Sequence, residues 1–150
     1  MAIWQFDLSF VPHGEPTPLR NPDGYEARSF HAREASKAEV WLAARFGSPS
    51  QIVEGWFAYG PIDGNRVDVS HNEDGTAEIS ARIDARVEST AFIDQICELC
   101  AVVGGKPFAL EFWKLLEAQP AAIGLALERS RAAAFIRDPE KFLKGAGSGA

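Results

Sequence analysis

One long hairpin pattern constrains the fold of this chain more than any other feature. Apolar and polar residues alternate strictly over residues 66–84, and one turn-rich run at residues 71–75 interrupts them. A period of two is typical of a sheet with one buried and one solvent-facing side. The predicted buried side carries Val67, Val69, Ala77, Ile79, Ala81 and Ile83. The predicted polar side carries Arg66, Asp68, Ser70, Glu78, Ser80, Arg82 and Asp84.

Strands and helices are mixed along the rest of the chain. Further strands are predicted at residues 3–11, within 51–59 and at 108–113. Helices are predicted to begin at a capping box of Ser36 and Glu39, at Ser89 or Thr90, and at Pro120. This order predicts an α+β fold, an antiparallel sheet with helices packed on one face as a two-layer sandwich. We expect a single domain over residues 1–144 and a flexible tail of small residues at 145–150.

Composition and charge exclude several classes of function. The 150 residues are 46% hydrophobic, and their net charge of −6 opposes binding to a nucleic-acid backbone. No stretch reaches the length of a membrane span, and the first residues carry neither a basic leader nor a signal-length apolar run. We therefore expect a cytoplasmic protein that binds neither nucleic acid nor membrane.

The two cysteines form a C-x-x-C pair whose placement favours a structural role. Cys97 and Cys100 lie in the later half of a predicted helix, on its apolar stripe, with no Gly or Pro between them. A redox pair is expected at a helix N-terminus, where the dipole lowers a thiol pKa. A zinc site needs two further ligands, which the spacing elsewhere does not offer. We expect buried free thiols, no cofactor and no metal.

The acidic residues around the hairpin are the strongest candidates for a recognition surface. The candidate binding residues are Asp68, Glu73, Asp74, Glu78, Arg82 and Asp84, together with the two aromatic residues near turns, Tyr59 and Trp113. Tyr59 and Trp113 are expected to be exposed because they lie close to turns, and such side chains often anchor interfaces. A solvated charged face with no partner is the alternative interpretation, and whether these carboxylates bind a metal stays open.

A long Pro- and Gly-rich loop at residues 12–33 provides a second candidate site. Loops of this length within a compact domain are uncommon and often functional. His13 and His31 bracket it, and Asp7 precedes it. Histidine titrates near neutral pH and can act as a base. If the two histidines converged beneath the loop, they would indicate a small enzyme or a small-ligand-binding protein.

Three segments together resemble a known group of proteins: residues 3–7, the hairpin at 66–86, and the ending at 130–143. They resemble small bacterial α+β proteins, some of which look like immunity proteins of toxin–antitoxin pairs used in interbacterial competition. This resemblance implies inhibition by binding, without catalysis, and it assigns no functional residues.

Two hypotheses follow, with binding favoured over catalysis because no catalytic residues are assembled in the sequence. The first is a protein-binding module, an immunity-type inhibitor that holds a basic partner, such as a basic toxin domain, against its acidic sheet face and adjacent loop. The alternative is a small enzyme or small-ligand binder with its site under the loop at residues 12–33. A homodimer formed through strand 3–11 or 108–113 at a sheet edge also stays open.

Overall fold

A computed structural model describes residues 2–148 of the chain. In this part, the strands are β1 (Gln5–Pro12), β2 (Leu19–Asn21), β3 (Gly24–Glu26), β4 (Ser50–Val53), β5 (Trp56–Tyr59), β6 (Arg66–His71), β7 (Ala77–Asp84), β8 (Gly105–Ala109) and β9 (Lys114–Leu115). The helices are α1 (Ala32–Phe46), α2 (Thr90–Val103), α3 (Pro120–Glu128), α4 (Arg131–Arg137) and α5 (Pro139–Ser148).

Seven strands form one antiparallel sheet in the order β4-β5-β6-β7-β1-β8-β9. The predicted hairpin is confirmed as β6 and β7, which pair from Arg66 opposite Arg82 to His71 opposite Ala77. The predicted first strand is confirmed as β1, which lies between β7 and β8. β2 and β3 form a separate two-stranded hairpin inside the loop at residues 12–33. The fold is α+β, as predicted.

The apolar side of the sheet and the helices share one core. Phe6, Leu8 and Phe10 of β1 are at most 1% exposed. From β6 and β7 the core receives Val67, Val69, Ala77, Ile79, Ala81 and Ile83, which is the set that the alternation predicted. From the helices it receives Ala35, Ala38, Leu42, Phe92, Ile93, Ile96, Leu99, Cys100, Val103, Ile123, Ala126 and Ala132. The other side of the sheet is free to carry polar side chains.

Several predicted boundaries differ from the structure. The first helix begins at Ala32, so Ser36 and Glu39 lie inside it and form no capping box. Glu39 instead contacts the sheet, as described below. The strand predicted at 108–113 begins earlier and ends at Ala109. The predicted tail is helical as far as Ser148, at the end of α5, while residues 149–150 lie outside the described residues.

The two strands considered for pairing with a second copy are not free edges. β1 is hydrogen-bonded on both sides, and β8 lies between β1 and β9. The predicted dimer edges are therefore wrong, because each of the two strands already has a neighbouring strand on both sides. Among residues 2–148, no helix combines the length and the apolar character needed to cross a bilayer.

Candidate functional site

The polar side of the sheet is organised in three rows, because directly opposed residues of antiparallel strands share one face. The first row is Trp56, Ser70 and Glu78. The second is Ala58, Asp68, Ser80 and Ser9. The third is Arg66, Arg82 and Asp7. Strands β5, β6, β7 and β1 thus bring residues distant in sequence onto one surface.

The β2–β3 hairpin lies over part of this surface and makes it concave. Tyr25 of β3 packs edge-on against Trp113, with ring centroids 6.3 Å apart, and the Arg20 guanidinium stacks 4.4 Å from the Trp113 ring. Trp113 has a left-handed backbone with φ 51, which is rare for a bulky residue. Trp113 is half-buried, so its predicted free exposure is wrong: its ring holds the hairpin.

The result is a cleft of about 380 Å³ between the sheet and the hairpin. Its polar and aromatic lining consists of Asp7, Ser9, Tyr25, Trp56, Asp68, Ser70, Glu78, Ser80 and Arg82. A volume of this order is within the roughly 300–1,000 Å³ range of small-ligand sites. Of these residues, the sequence singled out Asp68, Glu78 and Arg82 as binding residues and Asp7 as part of the loop site. It missed Tyr25 and Trp56.

Asp68 lines the floor of the cleft but is not displayed to solvent, so the prediction of an exposed carboxylate is wrong. Its side chain is 8% exposed and that of Arg66 is 5% exposed. Asp68 Oδ2 accepts hydrogen bonds from Arg66 Nη2 and Trp56 Nε1, both at 3.1 Å. Arg66 Nε lies 3.0 Å from Asp68 Oδ1, close enough for an ion pair but not aligned as a hydrogen bond. The charge of Asp68 can be buried because its partner, Arg66, lies two residues away on the same face of β6.

Asp84 is also buried, at 3% exposure, which corrects its predicted exposure. It accepts hydrogen bonds from the backbone and guanidinium of Arg86, and that guanidinium stacks over Trp4. Burial alone would raise the pKa of Asp84, but the hydrogen bonds and charge of Arg86 outweigh it and lower the pKa. Asp84 is therefore a satisfied structural carboxylate, and it does not line the cleft.

Asp7 and Arg82 form the second ion pair of the polar face. Arg82 Nε lies 3.4 Å from Asp7 Oδ1, and the Asp7 side chain is 11% exposed. Burial raises the pKa of Asp7, and the positive charge of Arg82 opposes this only in part. Asp7 Oδ1 accepts no hydrogen bond among the described residues, so this pair lacks the hydrogen bonds that reinforce the pair of Arg66 and Asp68.

Glu78 differs from the other carboxylates of the cleft because it has no cationic partner. Glu78 is half-buried. In the described part of the chain, its carboxylate forms no ion pair and no hydrogen bond. Burial raises its pKa, and the negative charge of Glu26 raises it further. The pKa of Tyr25 is likewise raised by burial and by the charges of Asp7 and Glu78. The cleft therefore has a negative local potential.

Glu73 and Asp74 lie in the β6–β7 turn, outside the cleft. Both are exposed, and Asp74 Oδ1 accepts hydrogen bonds from the backbone and hydroxyl of Thr76. These bonds lower the pKa of Asp74. An Asp that closes its own turn in this way is ordinary turn chemistry. The structure does not bring these two residues together with Glu78.

Tyr59 is 3% exposed, so its predicted role as an exposed aromatic anchor is wrong. Its hydroxyl donates a hydrogen bond of 3.1 Å to Glu39 Oε2, and burial raises its pKa. Glu39 Oε1 lies 2.8 Å from His71 Nε2. The three side chains connect α1 to strands β5 and β6.

The two histidines of the alternative site do not converge on the cleft. His13 and His31 are both exposed, and neither lines it. His31 instead occupies the N-cap position of α1. The cleft does lie beneath the loop at residues 12–33 and does contain Asp7, but it carries no histidine.

Cys97 and Cys100 are free thiols on the inner side of α2. Cys100 is buried, as predicted, whereas Cys97 is half-buried. Burial raises the pKa of Cys97 to about 11 and that of Cys100 to about 12. Since the thiolate is the reactive form, we expect alkylation by iodoacetamide at pH 8 to be at least about tenfold slower in the folded protein than in urea. Mass spectrometry of timed samples measures both rates. Equal rates would contradict burial of the pair.

Within residues 2–148, no group of three or more His, Cys, Asp or Glu side chains is arranged to hold a metal ion. Comparisons of the chain with protein-family models, with curated proteins and with solved structures found no match.

Proposed function

We propose that this protein is a binding module that holds a basic protein partner at the cleft between the polar sheet face and the β2–β3 hairpin. The observation that carries the proposal is the unpaired, half-buried Glu78 within a concave, aromatic-lined surface. The sequence predicted that the whole hairpin face binds the partner. The proposed binding surface is now limited to this one cleft. Glu78 and Arg82 remain as binding residues, joined by Tyr25 and Trp56.

Charge complementarity supports a basic partner. The net charge of −6 attracts a cationic protein at long range and raises its association rate. Inside the cleft, Asp68 and Asp7 are already neutralised by arginines of the same chain. A cation from the partner would find its counter-charge at Glu78.

An immunity-type inhibitor is the specific role that we propose for this module. Such a protein acts by covering a toxin and needs no catalytic group of its own. The resemblance of three segments to immunity proteins and the placement of both histidines outside the cleft support this role over catalysis.

The direct test is a charge reversal at Glu78. We expect Glu78→Lys to weaken binding of a basic protein encoded in the neighbouring reading frame by at least about tenfold, or about 1.4 kcal/mol, because a cation would then face a cation. Isothermal titration calorimetry measures the dissociation constant. The matched control is Glu128→Lys, at an exposed position at the end of α3, which packs against α2.

Two outcomes would contradict the proposal. If no basic neighbouring product formed a complex with the wild-type protein, the immunity-type role would be wrong. If a complex formed but Glu78→Lys and Glu128→Lys weakened it equally, the cleft would not be the binding surface.

A small-ligand-binding protein is the second candidate, and the concavity of the site favours it. A surface that meets a large partner can be flat, whereas this site has the volume of a small-molecule pocket. Saturable binding of a small cationic ligand with no protein partner would favour this candidate.

A further inference from the structure

One of the four tryptophans, Trp56, differs from the other three in a way that indicates what the cleft binds. An arginine guanidinium stacks over Trp4, Trp41 and Trp113, at 4.1, 4.0 and 4.4 Å from the ring centroids. Over the part of the chain that the structure describes, no arginine stacks on Trp56. Trp56 is also the tryptophan that lines the cleft. Its ring therefore lacks the cation that its three counterparts hold.

The orientation of Trp56 is set before any ligand arrives. Its Nε1 donates a hydrogen bond of 3.1 Å to Asp68 Oδ2, and Asp68 is held in turn by Arg66. A ring fixed by a buried ion pair loses little conformational entropy when a ligand stacks on it.

The spacing of the first row provides room for one planar cation. In this row, Trp56 of β5 is paired with Ser70 of β6, and Ser70 is paired with Glu78 of β7. Trp56 and Glu78 are therefore two strand spacings apart. Antiparallel neighbours are about 4.5–5.5 Å apart, which separates the Cα atoms of Trp56 and Glu78 by about 10 Å. The small Ser70 side chain leaves the space between them open. Tyr25 of the hairpin closes the cleft as a second aromatic group.

From these observations, and resting on the proposed function, we infer that the cleft binds a single guanidinium group, the end of an arginine side chain. Glu78 is its ion-pair partner, and Trp56 is its stacking surface. A guanidinium fits better than an ammonium, because it is planar, stacks on aromatic faces and pairs with a carboxylate through two hydrogen bonds. Glu26 adds a second negative charge near Glu78.

The test uses N-acetylarginine amide as the probe and the indole N–H signals of the four tryptophans in 15N-labelled protein as the readout. The Trp56 signal is assigned with a Trp56→Phe variant. We expect a saturable shift of the Trp56 signal with a dissociation constant on the order of 1 mM, since one residue provides few contacts. The neutral analogue N-acetylcitrulline amide and the ammonium probe N-acetyllysine amide should bind at least about tenfold more weakly.

Variants identify the counter-charge. Glu78→Gln should weaken the arginine probe at least about tenfold, whereas Glu128→Gln should leave it unchanged. Glu78 is half-buried on the polar face, so the amide should be tolerated, and circular dichroism checks the fold. Glu26→Gln, at an exposed position, is the second variant and should weaken the probe by a smaller factor.

The pH dependence has a defined sign. Binding needs ionised Glu78, so affinity should fall as the pH is lowered through the pKa of Glu78. Because burial and Glu26 raise that pKa, the loss should begin above the ordinary value of 4.5. The other charged or titratable groups that line or border the cleft are Asp7, Tyr25, Glu26, Arg66, Asp68 and Arg82. The loss should be smaller in Glu78→Gln, where Asp7 remains as a cleft carboxylate with a raised pKa.

The possible outcomes separate this inference from the proposed function. Equal binding of the arginine and citrulline probes, or unchanged binding in Glu78→Gln, would overturn the guanidinium site. If the arginine probe left Trp56 unshifted while a basic protein still bound in a Glu78-dependent way, only the guanidinium site would be wrong. If the probe bound as expected while no protein partner did, the cleft would belong to a small-ligand protein.

Discussion

Asp68→Ala should destabilise the protein by about 3–5 kcal/mol, because it leaves the Arg66 guanidinium buried without its counter-charge. Arg66 is 4% exposed, and its remaining side-chain hydrogen bond goes to the carbonyl of Ile62 at 3.0 Å. The Trp56 indole loses its acceptor at the same time. Equilibrium unfolding in urea, followed by circular dichroism, measures the free energy of unfolding.

A double variant separates two contributions to this loss of stability: the cost of burying an unpaired charge and the loss of the ion pair itself. Replacing both partners, as Arg66→Met with Asp68→Leu, should recover most of the stability lost in Asp68→Ala, because well-packed apolar side chains often replace a buried pair without loss. A loss below about 1 kcal/mol in Asp68→Ala would show that Arg66 reaches water, and the cleft floor would then be more open than described.

Phe30→Ala should destabilise the protein by about 3–5 kcal/mol, which is the range for removing a buried phenylalanine side chain. Phe30 is 2% exposed and ends the loop that carries the β2–β3 hairpin. Its backbone pairs with Ala77 of β7 through hydrogen bonds of 2.8 and 3.0 Å. The same urea unfolding experiment measures the loss.

Two comparisons make this prediction specific. Phe30→Leu should cost less than Phe30→Ala, since it fills most of the space. Phe112→Ala should also cost less, because Phe112 is 40% exposed. Equal losses in Phe30→Ala and Phe112→Ala would mean that Phe30 does not anchor the loop to the sheet.

The apolar side of the fold could be predicted from local pattern. Alternation in β6 and β7 identified each inward residue correctly, and α1 and α2 end at the glycines Gly47 and Gly104. These signals are local, since the pleat of a strand and the C-cap of a helix depend on neighbouring residues.

The polar side could not be predicted in the same way. Alternation placed Asp68 and Asp84 on the non-core face correctly, but it could not show that arginines two residues away cover their charges. Tyr59 looked exposed because it ends a strand near a turn, yet α1 brings Glu39 to its hydroxyl. Trp113 became a support for the hairpin because Arg20 and Tyr25 reach it across about ninety residues of sequence.

The sequence by itself determined which side of the sheet is apolar, the α+β class and the burial of Cys100, because these follow from periodicity and composition. Only the tertiary structure decided which carboxylate of the cleft has no cationic partner and where a concave surface forms. Both depend on strands β1, β5, β6 and β7 becoming neighbours and on the β2–β3 hairpin lying over them. The pairing of Asp7 with Arg82 and the enclosure of the cleft are long-range contacts, which the spacing of residues along a chain does not encode. The pairing of Asp68 with Arg66 is local in sequence, but the burial of that pair depends on the assembled sheet.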